Sequence, residues 1–152
     1  MPLYCGNKEA ILYMALLEKY LVIKRSKIPG AGKGLFTRQF IAKDTIIVEY
    51  KGKRTTWKEA KAQEAFNGYV YYIKRNLVID AKDHLQTFGR FANDARGINK
   101  IKGITNNCRY VVDGDKVFIK ALKNIPAGGE ILVSYGKEYW DAVRYNKKHG
   151  FS

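Results

Sequence analysis

Short apolar runs separated by turn-forming residues recur along this chain and restrict it to folds built from short strands. The residues between the runs include glycine, asparagine, aspartate and proline, which favour turns. Because the runs are rich in β-branched and aromatic residues, we predict a mainly β fold of several small sheets with peripheral helices. The predicted strands cover residues 21–23, 34–37, 45–50, 69–73, 77–80, 108–112 and 116–121.

Two pairs of neighbouring runs are close enough in sequence to form β-hairpins. A short polar turn joins the strands in each pair, which is the signature of antiparallel pairing. These turns are predicted at Lys74-Arg75-Asn76 and at Asp113-Gly114-Asp115. Other turns are predicted at residues 41–44 and 126–129, and the polar, glycine-containing stretch 96–105 is predicted to be a loop.

Three helices are predicted at the periphery. Residues 9–20 place apolar side chains at helical spacing behind a possible Asn7 cap. A second helix is predicted over residues 56–66, with Thr55 or Thr56 as its cap, and a closing helix over residues 137–145. At 152 residues the whole chain is expected to form one domain.

The net charge of +14 concerns partners more than fold. One interpretation is a well-solvated basic surface, and the other is contact with a polyanion such as nucleic acid. No motif for reading bases is recognisable, so any such contact would be made with phosphates and without sequence specificity.

No membrane segment or export signal is expected, because no apolar run is long enough to span a bilayer and the first residues lack a signal pattern. Cys5 and Cys108 can form one disulfide at most and are too few for a zinc cluster. We therefore expect an intracellular protein without a metal site.

The segment Gly30-Ala31-Gly32-Lys33-Gly34 has the composition of a ligand-binding turn. It does not match a P-loop, because glycine follows the lysine, and a predicted strand follows where a dinucleotide-binding turn would open a helix. Two interpretations remain: a flexible turn between strands, or a place where the bare backbone approaches a ligand closely.

Two later segments combine turns with isolated polar and aromatic residues. Gly89-Arg90-Phe91-Ala92-Asn93 ends on an asparagine that could simply cap a turn. Residues 129–140 contain a turn, a short apolar strand, Tyr135 beside Gly136, and Trp140, which could equally be a core residue. Neither segment identifies a function by itself.

Taken together, the three segments resemble the signature of SET-domain protein-lysine methyltransferases in order and approximate spacing. The resemblance covers roughly residues 21–140. It implies a β-clip-like SET fold, preceded by an N-terminal helical segment at residues 1–20 and followed by a C-terminal helix or tail at residues 141–152. It also implies methyl transfer from S-adenosylmethionine to the ε-amine of a protein lysine, with S-adenosylhomocysteine as the product.

The resemblance assigns site residues by matching positions. Tyr135 would orient the substrate amine, Tyr50 and Tyr110 would line the lysine channel with it, and Val133 and Tyr110 would set a width similar to that of mono-methylating members. The positions that would hold the cofactor, partly through main chain, are Ala31, Gly32, Lys33, Tyr69, Asn93, Asp94 and Trp140.

The chain also departs from the family pattern. The family usually has Asn-His-Ser-Cys where this chain has Asn93-Asp94-Ala95-Arg96, and the loop that follows is longer. Zinc-binding cysteine clusters beside the domain are absent from the sequence, so the helix at residues 9–20 and the C-terminal segment through Tyr145 are expected to close the site.

Two alternative functions remain open at this stage. One is an inactive SET-like module that docks on nucleic acid or a chromatin-like protein, and the other is a plain β-rich nucleic-acid binder. For the enzyme, the expected substrate is a histone or another basic, nucleic-acid-associated protein. A chain of charge +14 should repel a free basic tail, a conflict that eases if the substrate lies on nucleic acid.

Overall fold

The computed structural model describes residues 17–62, 66–97 and 99–150 of the chain. Short strands dominate these residues, as the sequence predicts. The strands are β1 (Leu21–Arg25), β2 (Lys33–Thr37), β3 (Ile46–Glu49), β4 (Lys53–Thr55), β5 (Val70–Lys74), β6 (Leu77–Asp80), β7 (Cys108–Asp113), β8 (Lys116–Ala121) and β9 (Glu130–Ile131). The helices are α1 (Trp57–Lys61), α2 (Lys137–Lys148) and a 3₁₀-helix (Gly89–Phe91).

Within the described residues, the strands form three antiparallel sheets of three strands each. The first sheet has the order β1-β2-β9, the second β3-β8-β7 and the third β4-β6-β5. In the first sheet β9 pairs with β2, so that Leu35 lies opposite Ile131 and Phe36 opposite Glu130. This pairing brings the residues after β9 next to the glycine-rich turn that precedes β2.

Both predicted hairpins are confirmed, with tighter turns than the sequence indicated. β7 and β8 pair as far as Asp113 opposite Lys116, which leaves only Gly114 and Asp115 in the turn. Gly114 has φ +62°, in the left-handed region where a side chain is costly. The β5–β6 hairpin also closes through two residues, because its pairing extends one residue beyond the predicted strand.

The helices differ in length from the predictions. α1 begins behind Thr56, whose hydroxyl accepts the backbone N–H of Glu59, and it ends at Lys61 instead of residue 66. α2 continues to Lys148, beyond the predicted end at residue 145, and runs across the predicted boundary between residues 140 and 141. Of the predicted helix 9–20, only residues 17–20 are described, and the first two of these are helical.

Two apolar clusters hold the sheets together. The larger one joins the first and second sheets and includes Leu35, Ile47 and Ile119, none of which is exposed. Burying each such side chain contributes roughly 1.5–3 kcal/mol. The smaller cluster joins the second and third sheets around Ile79 and Val117. Tyrosine side chains pack against the edges of both clusters, which places them between the three sheets.

The segment after β9 passes between two earlier parts of the chain. Leu132 forms a parallel bridge with Asn93, and Val133 forms one with Cys108. The side chain of Asn107 secures the crossing, because it accepts the N–H of Leu132 at 2.9 Å and donates to the carbonyl oxygen of Glu130 at 2.8 Å. The crossing brings the asparagine segment and the Tyr135 segment side by side.

No helix in the described part of the chain has the length and apolarity to cross a membrane.

Candidate active site

A cavity of about 650 Å³ opens where the three sheets meet α2. Nine of the eleven positions to which the resemblance assigns a role line it: Tyr50, Tyr110, Tyr135, Ala31, Lys33, Tyr69, Asn93, Asp94 and Trp140. Gly32 does not belong to the wall. Its backbone has φ +72° and its carbonyl oxygen accepts the N–H of Ser26, so Gly32 shapes the turn behind the wall.

Three tyrosines form one side of this cavity. The rings of Tyr50 and Tyr110 meet edge to face with centroids 5.7 Å apart, and Tyr71 lies 5.1 Å from Tyr110 and 6.4 Å from Tyr50. Tyr71 was not predicted, although it follows Tyr69 at the two-residue spacing of a strand face. The hydroxyls of Tyr71 and Tyr110 have no hydrogen-bond partner among the described residues, so both are available to a ligand.

Tyr135 adjoins this group from the segment after β9. Its hydroxyl donates to the carbonyl oxygen of Ala92 at 2.5 Å. The ring stacks on that of Trp140, with centroids 5.9 Å apart and an angle of 15° between the planes, and it meets Tyr139 edge to face at 4.7 Å. These contacts leave the oxygen of the Tyr135 hydroxyl able to accept a hydrogen bond.

The tyrosines are neutral dipoles at neutral pH. Burial raises the pKa of Tyr50, Tyr110 and Tyr135 above the ordinary tyrosine value. The Tyr50 hydroxyl in turn donates to the carbonyl oxygen of Tyr69 at 2.7 Å. These tyrosines therefore offer aromatic faces and protonated hydroxyls to a ligand, without a charge of their own.

The glycine-rich turn is held from two sides. Asn93 donates from its side-chain nitrogen to the carbonyl oxygen of Lys33 at 2.9 Å. Glu130, only 6% exposed, accepts the Ser26 hydroxyl at 2.6 Å and the Lys27 N–H at 2.9 Å. A Cβ on Gly34 would lie 2.5 Å from the Glu130 carboxylate, which explains the glycine there. The turn is thus fixed in a shape that exposes its backbone to the cavity.

Trp140 and its neighbours on α2 close the other side. The indole lies against Gly97, where an added Cβ would come within 2.4 Å of two ring atoms. Its Nε1–H donates to Asp94 Oδ2 at 2.8 Å. Tyr139, which was not singled out from the sequence, packs edge to face on Trp140 and also contacts Phe66. The sequence feature that could have indicated Tyr139 was its position on the predicted closing helix, two residues after Lys137.

Arg90 is a third wall residue, after Tyr71 and Tyr139, to which the motifs assign no role. Its guanidinium lies 4.2 Å from the Tyr69 ring centroid and 4.9 Å from that of Phe91. It also donates to the carbonyl oxygens of Ala81 and Lys82 at 3.0 and 3.1 Å. Arg90 thereby fixes the orientation of Tyr69 at the edge of the cavity.

Val133 does not have the place expected of it. It is fully buried, bridges to Cys108 and lies in the larger apolar cluster instead of the cavity wall. Tyr71 and Tyr110 narrow the cavity in its stead. Burial raises the pKa of the Cys108 thiol to about 12, so this cysteine is no nucleophile at neutral pH. The described residues contain no group of three histidine, cysteine, aspartate or glutamate side chains placed to hold a metal.

Comparison with known proteins identifies a family model and several relatives that resemble this chain. The SET domain family model matches residues 32–136. The N-lysine methyltransferase KMT5A-A of Danio rerio is 25% identical over 119 residues, covering 72% of this chain and 33% of the relative. The Histone-lysine N-methyltransferase SETD7 of Halocynthia roretzi is 25% identical over 123 residues, covering 76% and 31%. The KMT5A-A protein of Xenopus laevis is 27% identical over 127 residues, covering 75% and 36%. The chain thus spans about a third of the length of these relatives.

Proposed function

Because this chain belongs to the SET-domain family, we propose that it transfers a methyl group from S-adenosylmethionine to the ε-amine of a lysine in a protein. The observation that carries the proposal is the single cavity lined both by the glycine and asparagine segments and by the tyrosines. The names of the relatives, which are lysine and histone-lysine methyltransferases, support it.

The cavity suits S-adenosylmethionine in size and lining. Its volume of about 650 Å³ lies in the range of small-molecule pockets, and its wall combines aromatic faces with exposed backbone. Asn93 donates one of its two amide hydrogens to Lys33, and no described residue donates to its side-chain oxygen, which can accept a hydrogen bond from an amino group. We assign cofactor binding to Ala31, Gly32, Lys33, Tyr69, Asn93, Asp94 and Trp140, with Gly32 acting through the shape of the turn and Asp94 through its main chain.

When bound, S-adenosylmethionine supplies a methyl group on a positively charged sulfur, and transfer to the amine releases one proton. A lysine of ordinary pKa must first lose a proton, which costs roughly 4–5 kcal/mol at neutral pH. The tyrosine side of the cavity favours this loss, because uncharged aromatic surface that takes the amine out of water disfavours the ammonium form. Tyr50, Tyr110 and Tyr135 stay protonated and so add no negative charge that would hold the proton on the amine.

Tyr135 is proposed to orient the amine. Its hydroxyl hydrogen is donated to Ala92, so the hydroxyl oxygen can accept an N–H of the amine. That hydrogen bond would hold the lone pair of the amine nitrogen toward the methyl group. The free hydroxyls of Tyr71 and Tyr110 would occupy the space that a second methyl needs. We therefore propose mono-methylation, and abundant trimethyl-lysine in the product mass spectrum under excess cofactor would contradict it.

The direct test is transfer of labelled methyl groups to a panel of basic proteins, with Tyr135→Phe beside the wild type. Label that enters the wild-type reaction and is lost in the variant supports the enzyme. The second candidate is a SET-like binding module without turnover, which the Asp94 departure from the family pattern favours. Binding of S-adenosylmethionine without transfer to any protein of the panel would select that candidate.

The proposed substrate is a histone or another basic protein associated with nucleic acid. The charge of +14 favours attraction to nucleic acid, and exposed aromatic rings of Trp57 and Tyr72, in edge-to-face contact at 5.4 Å, are suited to stacking with bases. An intracellular location goes with such a partner. Turnover should be faster on DNA-bound than on free substrate, and this advantage should vanish at high salt; equal rates at low and high salt would contradict it.

A further inference from the structure

Asp94 occupies the junction between the channel and helix α2, and it is only 5% exposed. Its Oδ2 accepts the backbone N–H of Tyr135 at 2.9 Å and the indole N–H of Trp140 at 2.8 Å. Its Oδ1 accepts a side-chain N–H of Asn106 at 2.9 Å and the backbone N–H of Arg96 at 2.8 Å. Four donors thus use all four acceptor positions of the carboxylate, which leaves none for a ligand.

Apart from the ring contacts of Tyr139 and Trp140, helix α2 has few contacts that hold it in place. None of its residues is fully buried, so its apolar side chains anchor it less than a fully buried apolar face anchors a typical surface helix. Three of its residues line the cavity, Tyr139, Trp140 and Lys147. Of these, Trp140 has one polar anchor, the hydrogen bond to Asp94, and a hydrogen bond to a charged, buried acceptor is among the stronger ones.

We propose that Asp94 is a positioning residue that docks α2 over the cavity through Trp140 and fixes the main chain of Tyr135 at the same time. The docking itself follows from the contacts, while its consequence for cofactor binding rests on the proposed function. A single carboxylate thereby couples the wall of the channel to the closing helix.

The chemistry of the site requires an aspartate here. An asparagine would keep the shape but direct an NH₂ group at one of the two donor pairs, which leaves buried donors without an acceptor. A histidine, the residue that the family usually has at this position, offers at most one acceptor nitrogen. Asp94 therefore accepts a set of four hydrogen bonds that neither asparagine nor histidine could accept.

The test measures the surroundings of Trp140 through its fluorescence emission. The chain has two tryptophans, so a Trp57→Phe background makes the emission report on Trp140 alone. In that background Asp94→Asn should shift the emission of the ligand-free protein to the red and increase its quenching by acrylamide. Asp141→Asn is the matched control, because it removes an exposed carboxylate from the same helix, and it should leave both readings unchanged.

Calorimetry with S-adenosylmethionine then measures the consequence for binding. Asp94→Asn should raise the dissociation constant by about tenfold or more, as expected for the loss of a hydrogen bond to a charged group. The dissociation constant of Asp141→Asn should stay within about twofold of the wild-type value. An Asp94→Asn protein whose Trp140 emission and quenching match the control would overturn the proposal.

A second measurement needs no substitution. In the wild-type protein the indole N–H of Trp140 should exchange with solvent at least about tenfold more slowly than that of the exposed Trp57, by NMR. Equal exchange rates would overturn the docking role even if Asp94→Asn failed to fold. A wild type that neither binds S-adenosylmethionine nor transfers methyl groups would contradict the proposed function and leave the fluorescence and exchange results intact.

Discussion

The Tyr135 hydroxyl and the Ala92 carbonyl oxygen are joined by a hydrogen bond of 2.5 Å. This bond fixes the hydroxyl at the point where the asparagine segment meets the channel. It also leaves only the oxygen lone pairs to interact with a substrate. One hydrogen bond therefore sets both the position of the hydroxyl and its role as an acceptor.

Tyr135→Phe should lower the rate of methyl transfer by about a hundredfold or more, because the amine loses the acceptor that orients it. Cofactor affinity should change little, since the ring and its stacking on Trp140 remain. Labelled transfer assays and calorimetry measure the two quantities. Tyr72→Phe, at an exposed position, is the control. A Tyr135→Phe rate within a few-fold of wild type would show that the hydroxyl has no orienting role.

Tyr110→Phe and Tyr71→Phe should each raise the share of dimethyl-lysine in the product. Both hydroxyls lack a partner among the described residues and face the cavity, so removing either one makes room for a second methyl group. Mass spectrometry of the product under excess cofactor measures the shift. An unchanged ratio of mono- to dimethyl-lysine in both variants would mean that other residues set the width.

Glu130→Gln should lower the free energy of unfolding by about 1.5–3 kcal/mol, because the amide group meets the Ser26 hydroxyl or the Lys27 N–H with a donor in place of an acceptor. Urea denaturation measures the loss. Glu138→Gln, the same change on the exposed face of α2, should shift the free energy by less than about 0.5 kcal/mol. Equal values for the two variants would contradict the assigned role of Glu130.

Gly97→Ala should weaken cofactor binding, because its Cβ would come within 2.4 Å of the Trp140 ring and displace it. Gly103→Ala is the matched control in the same loop: no atom lies within 4 Å of its added Cβ, although its φ of +87° costs about 1 kcal/mol. Calorimetry should show a higher dissociation constant for Gly97→Ala alone. Similar affinities in both variants would refute the packing of Trp140 on this glycine.

Acid should release Trp140 only below the ordinary pKa of an aspartate. Burial alone would raise the pKa of Asp94, but hydrogen bonds from Trp140, Tyr135, Asn106 and Arg96 outweigh it and hold the pKa below its usual value. Because the folded pKa is depressed, the stability it contributes is fully present above the unfolded value near 3.9 and is lost as the pH falls through the folded value.

The measurement is an acid titration of Trp140 emission in the Trp57→Phe protein. The nearby tyrosines are neutral in acid, but the hydrogen bond from Lys137 lowers the pKa of Asp141 on the same helix, so the assignment to Asp94 depends on the variant. Asp94→Asn should lack the transition. A transition at or above the ordinary aspartate pKa would contradict the prediction.

Local sequence pattern predicted both hairpins and every strand of the described residues except β4 (Lys53–Thr55). Alternating β-branched residues and short polar turns determine these elements within a few residues of one another, so no distant contact is needed to recognise them. Helix ends were less predictable: α1 stops at Lys61 and α2 continues to Lys148, since tertiary contacts decide how far a marginal helix extends.

The site was predictable where the motifs reach and not beyond them. Tyr71, Arg90 and Tyr139 enter the wall through the packing of β5, the 3₁₀-helix and α2 against one another, which no local pattern encodes. Val133 was misplaced for the same reason, because its bridge to Cys108 turns it into the core. The task of Asp94 depends on donors up to 46 residues away, and a motif comparison registers only that a histidine is missing.

The crossing of residues 132–133 between Asn93 and Cys108 has a consequence for the order of assembly. During synthesis the glycine-rich turn and the channel tyrosines of β5 and β7 emerge before Tyr135 does. A chain that ends after β8 therefore lacks the segment that lies between these two parts, and the pocket cannot be completed until that segment has been made. The long sequence separation of these contacts slows folding. It also ensures that the complete site, with its orienting tyrosine and its closing helix, exists only in a chain whose topology is correct.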